Sequence, residues 1–150
     1  MDKRRVGQTM LEIDILGLGG APLGGNFVDL GYTQAEELIQ AAKNIGIGYF
    51  DTAPWYGFGR SERVMGDVLR GSEYILSDKV GRLLAPGPVK NPADFGMVDP
   101  LPFNVVYDYS YDGIMRAYED NLQRLGLDSC LLYTSDAADE GLGVDLGGRR

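Results

Sequence analysis

Two short apolar runs, Ile47-Gly48-Tyr49-Phe50-Asp51 and Tyr74-Ile75-Leu76-Ser77-Asp78-Lys79-Val80, flank a helical pattern in which Val64, Met65, Val68 and Leu69 share one face. An earlier apolar piece at Leu16-Gly17-Leu18 and a helix over residues 33–45 extend the alternation to three strands and two helices. Strands joined by helices run parallel, so the chain reads as α/β, with a parallel sheet built from β/α units. In such a fold the chemistry gathers on loops at the carboxyl ends of the strands. Asp51 ends the second strand and Tyr56 follows five positions later. Lys79 lies near the end of the third. A carboxylate, a phenol and an ammonium are thereby aimed at one edge.

Size and charge narrow the class. The 150 residues suffice for one domain, and 14 basic against 22 acidic side chains leave a net charge of −8. That balance attracts neither nucleic acid nor an anionic membrane, which leaves small molecules as the expected partners. Glu12 and Asp14 interrupt the apolar core that a signal peptide beginning Met1-Asp2-Lys3-Arg4-Arg5 would need. No apolar run approaches the ~18 residues of a membrane span. The single Cys130 makes no internal disulfide, which suits the cytoplasm.

Taken in order, Arg5-Val6-Gly7 and Leu11-Glu12-Ile13-Asp14-Ile15 suit a hairpin. The glycine-rich stretch Leu16-Gly17-Leu18-Gly19-Gly20-Ala21-Pro22 fails as a dinucleotide fingerprint, because Pro22 stands where the third glycine is required. Thr33 and Glu36 predict a capping box for the first helix, with Leu38, Ile39, Ala42 and Ile45 on its apolar face and Gly46 at its end. The second helix is expected to begin near Ser61 and to stop at Gly71. Residues 81–107 hold five of the seven prolines and show no periodicity, which predicts a long loop on the same edge as Asp51 and Lys79. A third helix over 110–125 follows, capped by Ser110, with Ile114, Tyr118, Leu122 and Leu125 at helical spacing and Gly126 closing it.

Phe50-Asp51-Thr52-Ala53, Tyr56-Gly57, Ser61-Glu62 and Lys79-Val80-Gly81-Arg82, in unbroken order, resemble the aldo-keto reductases, in particular the bacterial aldose dehydrogenase branch. The resemblance spans residues 3–127 and implies the N-terminal part of a (β/α)8 barrel that moves hydride between NADP or NAD and a carbonyl or sugar. It implies that the entry hairpin plugs the barrel, and that Asp51, Tyr56 and Lys79 are catalytic. It further implies that Gly20, Ala21, Pro22 and Asp51 lie beside the cofactor; no metal is implied. Trp55 is either a surface aromatic or a wall of the sugar site, and an exposed indole beside Tyr56 favours the second. A hydride delivered to a carbonyl leaves an alkoxide needing a proton, and a phenol of pKa ~10 is a poor acid at neutral pH. An ammonium beside it favours phenolate. Lys79 would supply that charge, Asp51 would hold Lys79, and Tyr56 would exchange the proton. Relatives are expected to carry a larger residue than Gly48 and an uncharged one at Asp78, which is read as a mild destabiliser pointing to the helix layer. The fourth catalytic position, a histidine ending the fourth strand, has no counterpart, since the chain contains no histidine.

After Ser129 the composition changes abruptly. Residues 130–150, from Cys130, resemble translated sequencing adapter: codons spelling 130–140 and 144–150 reproduce two adapter sequences in their proper order. On this reading residues 1–129 are a partial barrel and 130–150 a non-native tail. A chain of 150 residues is short of the ~250 of a full barrel, so inactivity and non-specific self-association through uncovered strand edges are expected. A rival reading is a calcium-binding loop from Asp108 to Glu119, which has the ligand spacing of an EF-hand but also Arg116 at its ninth position. Pro100 and Pro102 precede it where a helix is needed.

Overall fold

The computed structural model describes residues 1–89, 96–130 and 132–135. The chain enters through an antiparallel hairpin, β1 (Lys3–Arg5) and β2 (Glu12–Asp14), in the register Lys3↔Asp14 to Arg5↔Glu12. Then come β3 (Leu18–Gly19), a 3-10 turn at Pro22–Gly24, α1 (Tyr32–Asn44), β4 (Tyr49–Asp51), α2 (Arg60–Leu69) and β5 (Ile75–Val80). A second antiparallel pair, β6 (Arg82–Pro86) and β7 (Phe103–Tyr107), precedes α3 (Tyr111–Leu125) and β8 (Leu132–Ser135). Strands β3, β4, β5 and β8 form one parallel sheet in that order. No helix among the described residues is long and apolar enough to cross a membrane.

Phe50 and Leu76 stand opposite each other in the sheet and enter the core with Ile39, Met65, Leu69 and Leu125. Burying one such side chain stabilises the fold by about 1.5–3 kcal/mol. Strand alternation then sends Asp51, Ser77 and Lys79 to the opposite face and Asp78 back among the helices. The hairpin docks through Asp14, whose Oδ2 accepts from Gly48 N at 2.6 Å. A Cβ on Gly48 would stand 3.0 Å from that oxygen, which accounts for the small residue.

The helices differ from expectation in detail. The capping box does not form: α1 starts at Tyr32 on Gly31, without a side-chain cap, and Thr33 lies inside the helix. Its buried stripe is Ala35, Ile39 and Ala42, whereas Leu38 and Ile45 are exposed. The 35/39/42 spacing keeps one narrow line facing α2 and the sheet, and Leu38 and Ile45 fall to its sides. In α3 Ser110 is the cap as expected, its Oγ accepting from Gly113 N at 3.1 Å, and Gly126 closes the helix in the left-handed region. The buried stripe is Gly113, Ala117, Asn121 and Leu125, so of the expected apolar face only Leu125 is fully inside.

The predicted proline-rich loop holds β6 and β7, registered Arg82↔Tyr107 to Pro86↔Phe103. Pairing across 16 intervening residues leaves no local signal, and Pro86 and Phe103 sit at the strand ends, where a missing donor is tolerated. Residues 90–95, which include Pro92, lie outside the described residues. The calcium reading is overturned. Residues from Tyr111 onward are helical, β7 rather than a helix precedes them, and Asp108 Oδ1 accepts from Ser110 N at 3.0 Å and Ser110 Oγ at 2.6 Å. The twelve residues therefore cannot wrap an ion as a loop.

Strand β8 takes the fourth position in the sheet, pairing from Ser77↔Leu132 to Val80↔Ser135. It is formed by residues assigned above to the tail. A short apolar and β-branched run fits any open parallel edge, so the pairing reflects the edge as much as the run. Of the expected tail, residues 131 and 136–150 lie outside the described residues.

Candidate active site

Asp51, Tyr56 and Lys79 are brought together at the carboxyl edge of the sheet. Lys79 Nζ donates to Asp51 Oδ2 at 2.8 Å, to Tyr56 Oη at 2.9 Å and to the Thr52 carbonyl at 3.0 Å. An ammonium has three protons, and these acceptors take all of them. The Lys79 side chain is 5% exposed and Asp51 33%, so the ion pair reaches the surface only through the carboxylate. Burial pulls the Lys79 pKa down, but its hydrogen bonds to Asp51 and Tyr56 and their charges outweigh that and hold it above the ordinary lysine value. The lysine is a fixed cation at neutral pH. Asp51 is steered from behind by Ser77 Oγ, 2.5 Å from Oδ1, with Tyr49 Oη 3.0 Å from the same hydroxyl.

The loop carrying Tyr56 is shaped by backbone. Gly57, Phe58 and Gly59 all have positive φ, +65°, +52° and +92°, which turns the chain sharply from Tyr56 into α2. Gly24 and Gly57 pack backbone to backbone, since a Cβ on either would run into the other's main chain or into Tyr56. Gly20 donates its N–H to the Asp51 carbonyl at 2.8 Å, and a Cβ there would stand 2.5 Å from Ser61 Oγ and 2.8 Å from the Asp51 carbonyl. Gly20 is buried, Ala21 half-buried and Pro22 exposed, all at the end of β3 beside Asp51. Residues 96–101 lie against both loops: Val98 N donates to Gly25 O, after β3, at 2.8 Å and Leu101 N to Gly57 O, after Tyr56, at 3.1 Å.

Trp55 is half-buried rather than openly exposed. The Arg82 guanidinium lies 4.6 Å from its ring centroid and 5.3 Å from that of Tyr107, and Phe58 meets the indole edge-on at 5.3 Å. Arg82 itself is 2% exposed, a buried cation that sequence reasoning quoted only as part of a motif. The second feature it missed is a buried polar network behind Lys79. Arg124 donates to Glu62 through Nε at 2.7 Å and Nη2 at 3.0 Å, and to Asn121 Oδ1 at 2.5 Å. Asn121 Nδ2 donates to the Lys79 carbonyl at 2.8 Å, and Asp78 Oδ1 accepts from Lys79 N at 2.8 Å. As expected, Asp78 points to the helix layer. Burial raises its pKa well above the usual carboxylate value, and the Glu62 charge adds to this. A polar Asn121 on the otherwise apolar stripe of α3 was the available signal.

Residues 15–142 match the model of the aldo/keto reductase family. The chain belongs to that family. Among its relatives it is 46% identical to a pyridoxal 4-dehydrogenase of Microbacterium luteolum, over 90% of this chain and 43% of the relative. It is 38% identical to a D-threo-aldose 1-dehydrogenase of a Pseudomonas species, over 84% and 41%. Among solved aldo-keto reductases it is similar to the holo form of one from Bacillus halodurans, with TM-score 0.71, 30% identity, and 89% of this chain and 39% of that one covered. The chain spans about two fifths of the length of these relatives. Its parallel sheet and helices are the N-terminal part of the family's (β/α)8 barrel.

Proposed function

We propose that this chain carries the proton-handling part of the active site of an NAD(P)-dependent oxidoreductase that acts on an aldose or another small carbonyl or alcohol compound. The observation that carries the reading is the Lys79 ammonium held between Asp51 and Tyr56. Lys79 donates to Tyr56 Oη, which holds the phenol oxygen beside a fixed positive charge. When the phenol proton leaves, the ammonium 2.9 Å away stabilises the phenolate that remains. Asp51 fixes Lys79 by the opposite hydrogen bond and balances its charge. The names of the two relatives, one acting on pyridoxal and one on D-threo-aldoses, support a small carbonyl or sugar partner.

The edge beside Asp51 would take the cofactor ring. A Cβ on Gly19, at the end of β3, would meet nothing within 4 Å, so the main chain is open to an approaching ligand there. Gly20, Ala21, Pro22 and Asp51 would hold the nicotinamide, NADP or NAD. Bound there, that group would take up the hydride when an alcohol or aldose is oxidised and supply it when a carbonyl is reduced. Trp55, against which Arg82 packs, would present an indole face or edge to a sugar.

The test is a completed barrel: residues 1–129 followed by the part of the Microbacterium luteolum relative that comes after its third β/α unit. This also probes the reading of residues 130–150 as non-native. The completed barrel should bind NADPH or NADH by fluorescence titration and oxidise an aldose or reduce a carbonyl, and Tyr56→Phe should abolish turnover while keeping cofactor affinity. Turnover undiminished in Tyr56→Phe would refute the proton-transfer role.

A further inference from the structure

Ser77 gives its carbonyl to Thr52 N at 2.9 Å, the last hydrogen bond between β4 and β5. Main-chain groups alternate sides along a strand, so Lys79, two residues on, turns its N–H and C=O the same way as Ser77. There β4 has already left the sheet toward Tyr56. Two side chains fill the place of the missing strand. Asp78 Oδ1 takes the Lys79 N–H and Asn121 Nδ2 donates to the Lys79 carbonyl, each at 2.8 Å. Asn121 is fully buried on α3, and its amide cannot turn over, because Arg124 donates to Oδ1 while Glu62 holds Arg124 by two hydrogen bonds. The chain from Glu62 on α2 through Arg124 and Asn121 on α3 thus ends on the main chain of the lysine. An apolar residue would fill the volume equally well but would leave the Lys79 carbonyl buried without a donor, at a cost large enough to move the strand end.

We propose that Asn121 is a positioning residue of the site: its amide stands in for the absent β4 ladder and sets the reach of Lys79 to Tyr56 and Asp51. This rests on the reading of those three residues as the site. The position of Lys79 is what the network controls, so the direct readout is the reactivity of its amine rather than turnover.

The experiment is competitive acylation of the 150-residue chain with a trace amine reagent across pH 7–11, read by mass spectrometry, with Lys3 and Lys43 as internal references. Lys3 is exposed, and Lys43 is held by Val68 O and Ser72 Oγ away from the site. In the wild type Lys79 should label slowly with a titration midpoint above that of Lys3. Asn121→Asp keeps the acceptor for Arg124 and loses the donor to Lys79, and it should raise Lys79 labelling about tenfold and lower its midpoint, with Lys43 unchanged. Asn121→Leu should do the same. A rise shared by Lys43 means general loosening and overturns the positioning role, as does unchanged Lys79 labelling in both variants. Asp51→Asn separates the two levels. If it exposes Lys79 while the Asn121 variants do not, the site stands and the positioning role fails; if wild-type Lys79 labels like Lys3, the site reading itself fails.

Discussion

Lys79 Nζ donates to Tyr56 Oη at 2.9 Å across 23 residues of chain, from the end of one strand to the loop after its neighbour. The contact joins a buried cation to the group proposed to exchange a proton.

Replacing Lys79 by Met keeps the apolar stem and removes the charge. In the completed barrel kcat should fall by about 10²–10⁴, with NADPH or NADH affinity little altered. Steady-state kinetics beside a fluorescence titration measure both. Wild-type kcat in this variant is the result that sinks the assignment.

Asp78 gives a pH dependence of definite sign. Burial, with the Glu62 charge beside it, raises its pKa in the folded state, so the native chain holds a proton that the unfolded chain has lost. Stability from this group is complete near pH 4 and declines as pH rises until Asp78 ionises. The groups facing it are Glu62 on α2, Arg124 on α3 and the Lys79 N–H, and the hydrogen bond that a protonated Asp78 gives Glu62 is one that an asparagine amide can also give. Asp78→Asn should therefore match the wild type near pH 4 and exceed it by about 1–3 kcal/mol at pH 8. Denaturant unfolding of the completed barrel at the two pH values gives the difference, and an Asp78→Asn variant less stable at pH 8 contradicts the argument.

Gly20→Ala should destabilise the completed barrel by about 1–3 kcal/mol through overpacking, since the new methyl meets Ser61 Oγ and the Asp51 carbonyl. Displacing Asp51 should also reduce kcat. Gly19→Ala, at the neighbouring residue with its new methyl in open space, is the control for stability: equal losses of stability for both variants would show that packing at Gly20 is not the cause.

The 150-residue chain by itself should associate and show no turnover. Among the described residues β3 and β8 each have one strand partner, so each presents a free edge. Barrel enzymes also often grip phosphate through loops after later strands, and the chain has no histidine to orient a carbonyl. Sedimentation velocity should reveal a broad, concentration-dependent distribution. A sharp monomer boundary with micromolar NADPH binding would overturn this expectation.

The order of strands and helices was legible in the sequence, because apolar period and glycine stops are local. Asp51 and Lys79 could be placed on one edge from that order alone, since parallel strands bring their carboxyl ends together. Ser110 and Gly126 were readable for the same reason: a cap acts within one helical turn. The sequence by itself therefore determined the β/α alternation and the edge that bears the site.

Only the tertiary structure decided the rest. The β6 and β7 strands exist because each satisfies the other's main chain, and neither carries a pattern strong enough to announce it alone. Gly31 rather than Thr33 begins α1, and Leu38 faces outward, because the neighbouring α2 and the sheet settle where the helix sits. Glu62, Arg124 and Asn121 lie up to 62 residues apart and look like solvated helix charges in the sequence. Burial changes their meaning, because a charge removed from water must find its partner inside, and that partner is chosen by how α2 and α3 pack behind Lys79.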